Sequence, residues 1–326
     1  MKIISIAIPT FNRAEHLREN LENILPQIYD KQEEIELLIN DNASTDNTSE
    51  IVMNIKDGYN FPILYTKHPN NIGICENFND VVDKTQGKYV FLMGDDDLLS
   101  PNFFDIILNI LSQNEDFGII HFNRLSGDSF CSNNRLHDNI YDGMQNIYDA
   151  PNFIKRIVSS PNFMSSMIFL KECWEQGATK IKDNYYGYDF FARICWGALD
   201  KKCLYYYMPL VIMRNPPIRT WSKMWSLYCL VGMSNIFFDL DQKISGIYDI
   251  WQNRMRHSKY YDFWEILSGV IIDRKFYRTK RKEINKHLKS VFEKCLLWIF
   301  LYLKPVELIK VLYLLCLKIF RLISRK

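Results

Sequence analysis

The sequence predicts an α/β fold: a mainly parallel sheet with helices on both faces, followed by a helical C-terminal region. Three observations predict it. Short apolar runs alternate with helical patterns over the first 125 residues. The runs are continuous rather than alternating apolar with polar, as in strands buried on both faces. Segments rich in Asn and Asp follow directly on the runs, where open α/β sheets bind their ligands.

The first strand is expected at Ile3–Ile8, closed by Pro9, and the first helix at Ala14–Leu25. The second strand, Ile35–Ile39, runs out into Asn40 and Asp41 and precedes a helix at Thr48–Ile55. A short third strand at Ile63–Tyr65 leads to a helix at Ile74–Thr85. The fourth strand, Tyr89–Met93, ends at Gly94. Ser100-Pro101 then signals a helix over Pro101–Leu111, because proline at the first helical position lacks only an N–H that would go unpaired anyway. A fifth strand is expected at Gly118–Phe122. Residues 126–162 are rich in Asn, Asp, Ser and Gly and read as loop with short helices. Residues 163–214 are mixed, with an apolar run at Met164–Leu170, a helix near Asp189–Leu199 and a strand-like stretch at Cys203–Met213. Residues 222–295 read as mostly helical.

The chain has 326 residues, enough for one large domain with an appendage or for two modest domains. Hydrophobic residues make up 48% and charged residues 24%, which excludes global disorder. The eight cysteines form no CxxC pair and no metal-ligand rhythm, so they read as scattered thiols of a reducing compartment. The N-terminal apolar run is short, contains Ser5 and meets Pro9 without a small-residue cleavage site. No signal peptide is expected, and a cytoplasmic location is. The net charge of +2 hides a polarity: residues 251–326 carry 18 basic and 6 acidic side chains, leaving 22 and 32 in the first 250. The acidic part could bind cations, and the basic end could meet a polyanion or an anionic membrane surface.

Three strand ends carry candidate chemistry. They are Pro9-Thr10-Phe11-Asn12-Arg13, then Asp41 to Asp46, then Gly94-Asp95-Asp96-Asp97. In a parallel sheet all three fall at one edge. Three consecutive carboxylates repel one another unless a cation neutralises them. Oxygen ligands of this kind suit Mg²⁺ or Mn²⁺, which are often held by one or two carboxylates plus substrate phosphates. The competing reading of the triplet is a solvated acidic turn that starts the next helix.

The segments SIAIPTFNR, INDNASTDNT, Asn71-x-Gly73 with Asn77, and GKYVFLMGDDDLLSP resemble the family 2 glycosyltransferases of the Rossmann-like GT-A fold. Each motif alone is weak; together they stand in the family's order and spacing. The resemblance is strong over about residues 1–125 and fades towards 215. It implies a nucleotide-sugar donor, with UDP, GDP, CDP and TDP forms all open, and an inverting transfer. It implies that Pro9, Thr10 and Asn12 line the nucleotide pocket and that Arg13 approaches the diphosphate. Asp41 would accept a hydrogen bond from the base, Asp46 would cap the following helix, and Asn71, Gly73 and Asn77 would shape the pocket. The acidic triplet matches the family's DxD motif, with Asp95 and Asp96 at the nucleotide and Asp96 or Asp97 on Mn²⁺ or Mg²⁺. Gly94 stands where the family often has Asp. The resemblance and the pattern of the remaining residues together give the expected division: a catalytic domain over 1–215, a helical region over 216–294 and a membrane-associating segment over 295–326.

Departure of a glycosyl diphosphate develops negative charge that a divalent ion stabilises, and the acceptor hydroxyl needs a general base. In the family that base is often an Asp opening a helix about a hundred residues past the DxD motif. Asp189 matches this place, although Tyr188 precedes it where a Glu is usual; Asp183 is the weaker candidate. The competing reading has Asp189 capping its helix or pairing with Arg193. Tyr185, Tyr186, Tyr188 and Trp196 could stack on an acceptor sugar or pack in the core. The stiff loop around Pro216-Pro217, flanked by Arg214 and Trp221, lies near the family's acceptor contacts but carries no His, and no catalytic role is assigned there.

At the end of the chain, Arg274–Lys294 holds nine basic and two acidic residues, Leu296–Leu303 is nearly all apolar, and Val306–Ile323 is amphipathic. A membrane span wants about 20 apolar residues, and neither stretch reaches that without a charge or proline. An in-plane amphipathic helix on an anionic surface fits better; the alternative is packing on the protein's own core. Peripheral attachment to the inner face of the cell membrane is therefore expected. A nucleic acid is not, because it would not require the apolar face. The membrane-seeking end motivates a polyprenyl-diphosphate-linked saccharide as acceptor, in O-antigen or capsule assembly. Two rival readings are a decayed transferase acting as a scaffold and a sugar-1-phosphate nucleotidyltransferase. The latter calls for a Gly-rich basic loop where this chain has PTFNR.

Overall fold

The computed structural model describes residues 2–113, 116–127, 135–136, 145–158, 164–181, 185–214, 228–257, 274–288 and 291–302. The first half runs β1 (Ile4–Thr10), α1 (Ala14–Ile28), β2 (Ile35–Asp41), α2 (Thr48–Gly58), β3 (Ile63–Lys67), α3 (Ile74–Asp83) and β4 (Tyr89–Leu92). Next come β5 (Leu98–Leu99), α4 (Phe103–Leu111), β6 (Phe117–Ser126), β7 (Arg135–Leu136), β8 (Gln145–Asp149) and α5 (Ala150–Ile157). A 3-10 turn at Met164–Ser166 leads into β9 (Met167–Leu170), α6 (Lys171–Ala178), α7 (Asp189–Gly197) and β10 (Lys202–Met213). A π-helical turn at Tyr228–Met233 opens the helical region, with α8 (Ser234–Leu240), α9 (Ile247–His257), α10 (Arg274–His287) and α11 (Val291–Tyr302).

The α/β expectation holds. The strands form one sheet in the order β3-β2-β1-β4-β9-β6-β10-β5, with β7 beside β6 and β8 beside β10. β3, β2, β1 and β4 are mutually parallel, as are β6 and β10; β9 runs antiparallel between β4 and β6. Every residue of β1, β2 and β4 is buried, which is why their sequences are continuous apolar runs. Pro9 is tolerated in central β1 because it lies beyond the last β4 partner pair, Ala7 with Leu92.

This order creates the crevice. The chain leaves β1 on one side for β2 and β3, then returns to β4 on the other. The switch point therefore falls between β1 and β4, and its crevice opens at their carboxyl ends. Those ends are Thr10 to Arg13 and Gly94 to Asp97, with Asp41 brought beside Thr10 by the β1–β2 register.

The helical region is not separate from this layer. Phe237, Leu240, Trp251, Tyr277, Ile284, Leu297 and Leu301 join the same hydrophobic core as the sheet. Phe237 of α8 meets Phe191 of α7 edge-on at 6.2 Å. α7 itself lies close on α6 through two glycines. A Cβ on Gly177 would stand 1.8 Å from the Arg193 carbonyl oxygen, and one on Gly197 1.8 Å from that of Cys173.

Three boundaries differ from expectation. α4 starts at Phe103 rather than Pro101, because the Ser100 N–H bonds Leu210 and extends the β5–β10 pairing, and Asn102 turns left-handed. Part of the expected loop 126–162 is the edge strand β8, whose half-exposed sequence carries little apolar signal. Leu296, Leu297, Phe300 and Leu301, expected to open the membrane-associating end, are buried in the core; Trp298 and Tyr302 stay exposed. The amphipathic stretch Val306–Ile323 lies outside the described residues, as do Asp183 and the loop 215–221. No described helix is long and apolar enough to cross a membrane.

Candidate active site

The crevice is built by three loops that bond to one another. Asn12 takes a left-handed backbone (φ 53°), which turns the loop after β1 towards the loop after β2. Its N–H donates to Ser44 Oγ at 2.8 Å, and its Oδ1 accepts from the Thr45 N–H at 2.7 Å. Asp46 receives the Thr48 and Ala14 N–H groups, both at 3.1 Å, and so caps the start of α1 as well as α2. Burial pushes its carboxyl up, but these bonds together with the Thr48 hydroxyl hold it below the usual range.

Asp41 is fully buried and both its oxygens are engaged: Oδ1 accepts from the Ser44 N–H and Oδ2 from the Tyr65 hydroxyl, each at 2.7 Å. Burial and this carboxylate push the Tyr65 phenol up to about 12. Asn42 carries the wall onward, donating to Asn71 Oδ1 at 3.1 Å and accepting from the Ile72 N–H at 2.8 Å. Gly73 follows with φ 91°, a conformation that favours glycine, and α3 begins at the next residue. Asn77 lies one turn further along α3 than Gly73 and Ile74. It is buried and tied to Asn40 of β2, and so fixes α3 on the sheet.

The acidic turn sits opposite. Thr10 donates to Asp95 Oδ2 at 2.7 Å, and Arg13 lies against Asp95 Oδ1 at 3.5 Å and against Asp96. Burial lowers the Arg13 pKa, but Asp95 and Asp96 outweigh it and hold the guanidinium charged. Asp97 is 2% exposed and accepts from Ser165 Oγ at 2.5 Å. Burial, then repulsion from Asp96, pushes Asp95 up to about 7 and raises Asp97 as well. A divalent cation would relieve this repulsion. Gly94 leaves room for one: a Cβ there would meet Asp97 Oδ2 at 2.7 Å, Asp96 Oδ1 at 3.3 Å and Ser165 Oγ at 3.4 Å. Those three oxygens are hard donors of the kind Mg²⁺ and Mn²⁺ take. Among the described residues no three His, Cys, Asp or Glu side chains surround one point, so an ion here would draw its remaining ligands from water or substrate.

Several supporting residues carry only weak sequence signals. Asn20 donates to the Asp97 carbonyl at 2.7 Å, and Asn23 exchanges hydrogen bonds with Leu99. Amides three apart on the buried face of α1 were the available sign. Ser165 also accepts the Gly94 N–H at 2.8 Å, and nothing in its local sequence marks it. Arg214, just past β10, bonds the Asp96 carbonyl and Glu19.

Asp189 opens α7 at the same edge as α3. Its Oδ1 accepts from the Tyr185 N–H at 3.1 Å, and its Oδ2 from the Gly187 N–H at 3.3 Å and from Cys75 Sγ at 3.5 Å. Cys75 is the second residue of α3, so this carboxylate reaches the segment that follows Asn71 and Gly73. Arg193 turns elsewhere: it bonds Asn79 at 3.0 Å and lies 3.8 Å over the Trp174 ring. The Asp189 carboxylate is thus held by the turn before α7 and by Cys75, and it caps none of the helix's own N–H groups.

Comparison with known proteins decides the family. Residues 5–175 match the family described as Glycosyl transferase family 2. The chain belongs to that family. Over 230 residues it is 31% identical to the abequosyltransferase RfbV of Salmonella typhimurium, covering 65% of this chain and 67% of that protein. An uncharacterized glycosyltransferase of Haemophilus influenzae is 32% identical over 115 residues, 35% of this chain and 44% of its own length. The fold is GT-A. The S. aureus TarS 1–349 structure in complex with UDP-GlcNAc superposes with a TM-score of 0.61 at 14% identity, over 92% of this chain and 87% of that one. The Pyrobaculum calidifontis mannosyltransferase PcManGT, in complex with GDP-Man and Mn²⁺, gives 0.54 at 15% identity, over 90% and 78%. This family 2 member is therefore a glycosyltransferase.

Proposed function

We propose that the protein transfers one sugar, with inversion, from a nucleotide sugar to a hydroxyl of a polyprenyl-diphosphate-linked saccharide during O-antigen assembly. The observation that carries this reading is the convergence of four segments at one sheet edge: Thr10 to Arg13, Asp41 to Asp46, Asp95 to Asp97, and Asp189. The likeness to an abequosyltransferase supports the O-antigen acceptor and adds deoxy sugars to the donors worth testing.

The nucleoside end of the donor lies along the loops held by Asn12, Asp41, Asn42 and Asn71. The diphosphate lies towards Arg13 and the acidic turn. Asp96, the outward member of the triplet, and Asp97 behind it would hold Mg²⁺ or Mn²⁺ there. When bound, the ion stabilises the charge that develops on the departing nucleoside diphosphate. Arg13, held against Asp95 and Asp96 in the free site, would be the side chain that meets the diphosphate oxygens. Asp189 takes the proton of the acceptor hydroxyl as that oxygen bonds the anomeric carbon on the face opposite the leaving group. The N–H groups of Tyr185 and Gly187 keep its carboxylate aimed.

The test is sugar incorporation into extracted lipid-linked saccharides, using UDP-, GDP-, CDP- and TDP-sugars with dideoxy forms included. One donor is expected to label the lipid fraction. Asp189→Asn should lower the rate about 10²- to 10⁴-fold while leaving donor binding in place. Full turnover by Asp189→Asn would contradict the base, and no labelling from any donor would favour a decayed transferase acting as a scaffold.

A further inference from the structure

The turn that aims Asp189 is held from outside the catalytic layer. Tyr186 sits at φ 53° and Gly187 at φ 88°, two consecutive left-handed residues. That conformation is unusual for a bulky side chain and persists only where the surroundings impose it. The surroundings here are the C-terminal helices. The Tyr186 hydroxyl donates to Glu283 of α10, and Lys280, one turn earlier, lies 4.7 Å over the Tyr186 ring. The Tyr185 hydroxyl donates to Asp239 of α8 at 2.9 Å. The Tyr185 carbonyl sits so close to Gly232 that a Cβ there would approach it to 2.2 Å. The backbone N–H groups on either side of Tyr186 are the ones that hold the Asp189 carboxylate.

We infer that Tyr186 and Glu283 are positioning residues: their bond locks the turn in the left-handed conformation that aims Asp189 into the site. This rests on the reading of Asp189 as the base for its catalytic meaning. The lock itself is a statement about where the carboxylate sits. It makes α10, a basic surface helix about 90 residues beyond the base, part of the transfer machinery.

Cys75 reports on this directly, because burial and the neighbouring Asp189 charge push its thiol up to about 12. Burial is the larger of the two causes; a carboxylate released from its aim withdraws the second and lets the thiolate form more readily. The experiment measures the rate of Cys75 labelling by N-ethylmaleimide in the full chain, by peptide mass spectrometry. Tyr186→Phe and Glu283→Leu should each raise the rate about tenfold, and the pair together no further. Glu283→Gln, which can still accept the phenol proton, should stay near the parent rate. In an Asp189→Asn background Tyr186→Phe should add nothing, whereas a general loosening of α3 would still show. Unchanged labelling in Tyr186→Phe and Glu283→Leu, or an equal rise in the Asp189→Asn background, would overturn the lock. The same variants assayed for transfer separate the two readings. If Asp189→Asn keeps full transfer, the base assignment falls while the labelling still decides the lock.

Discussion

Arg13 lies against Asp96 and within 3.5 Å of Asp95, so the cation that neutralises the acidic turn comes from the loop after β1. The three side chains are mostly buried, and removing one partner of such a pair costs about 3 kcal/mol. Arg13→Ala should therefore lower the melting temperature of the metal-free protein by several degrees. Mn²⁺ should restore more stability to this variant than to the parent, because the ion takes over the neutralising role. Thermal melts with EDTA and with Mn²⁺ check both statements. An equal Mn²⁺ response in the two proteins would argue against an ion at the acidic turn.

Gly94 offers a steric test of the same place. An added Cβ would meet Asp97 Oδ2 at 2.7 Å and push it, together with Asp96 Oδ1, away from the gap between them. Gly94→Ala should keep the fold and lose Mn²⁺-dependent nucleotide binding by at least about tenfold, or about 1.4 kcal/mol. Isothermal titration with and without the ion measures it. Equal affinity in variant and parent would place the ion elsewhere.

The parts of this site that were legible in the sequence are those set by short-range rules. Continuous apolar runs marked β1, β2 and β4 because those strands are buried on both faces, and strand ends pointed to Thr10, Arg13 and the triplet. The resemblance pointed to Asp189 as the base, and that role is our proposal. Partners arriving from distant elements were not legible: Ser165 on Asp97, Tyr65 on Asp41, Cys75 on Asp189. A hydroxyl, phenol or thiol has no periodic signature that says what it will face. Gly94 gains its reason only from the folded turn, where a Cβ would meet Asp97 and Asp96. The apolar segment Leu296–Leu301 had two uses open to it, membrane or core, and only packing decides between them.

The thiol of Cys75 carries a pH dependence with a definite sign. Burial, then Asp189, disfavours the thiolate and pushes Cys75 up to about 12. Alkylation should therefore be slow at pH 8 and keep rising with pH up to and beyond pH 10. Replacing Asp189 with Asn should speed it. Peptide-resolved labelling from pH 7 to 11 would contradict this if the Cys75 rate levelled off near pH 9.

Membrane attachment can be tested without damaging the core. Lys275, Arg278, Lys282 and Lys286 are exposed on α10, and Trp298 and Tyr302 are exposed on α11. Deleting residues 303–326 removes the amphipathic end and spares buried Leu296, Leu297, Phe300 and Leu301. The full chain should float with anionic vesicles at low salt and be released as salt rises, because exposed charges are screened beyond about 10 Å at 0.1 M. The truncated chain should bind more weakly. Equal flotation of both would transfer the attachment to α10 and α11.

We propose a metal-assisted nucleotide-sugar site at the switch point between β1 and β4. Its most direct measurement is calorimetric titration of UDP, GDP, CDP and TDP into the full chain, with and without Mn²⁺, against Asp96→Ala. One nucleotide should bind in a Mn²⁺-dependent manner, and Asp96→Ala should weaken it about tenfold or more, at least about 1.4 kcal/mol. Binding that ignores both the ion and Asp96, or no binding by any of the four, would contradict it.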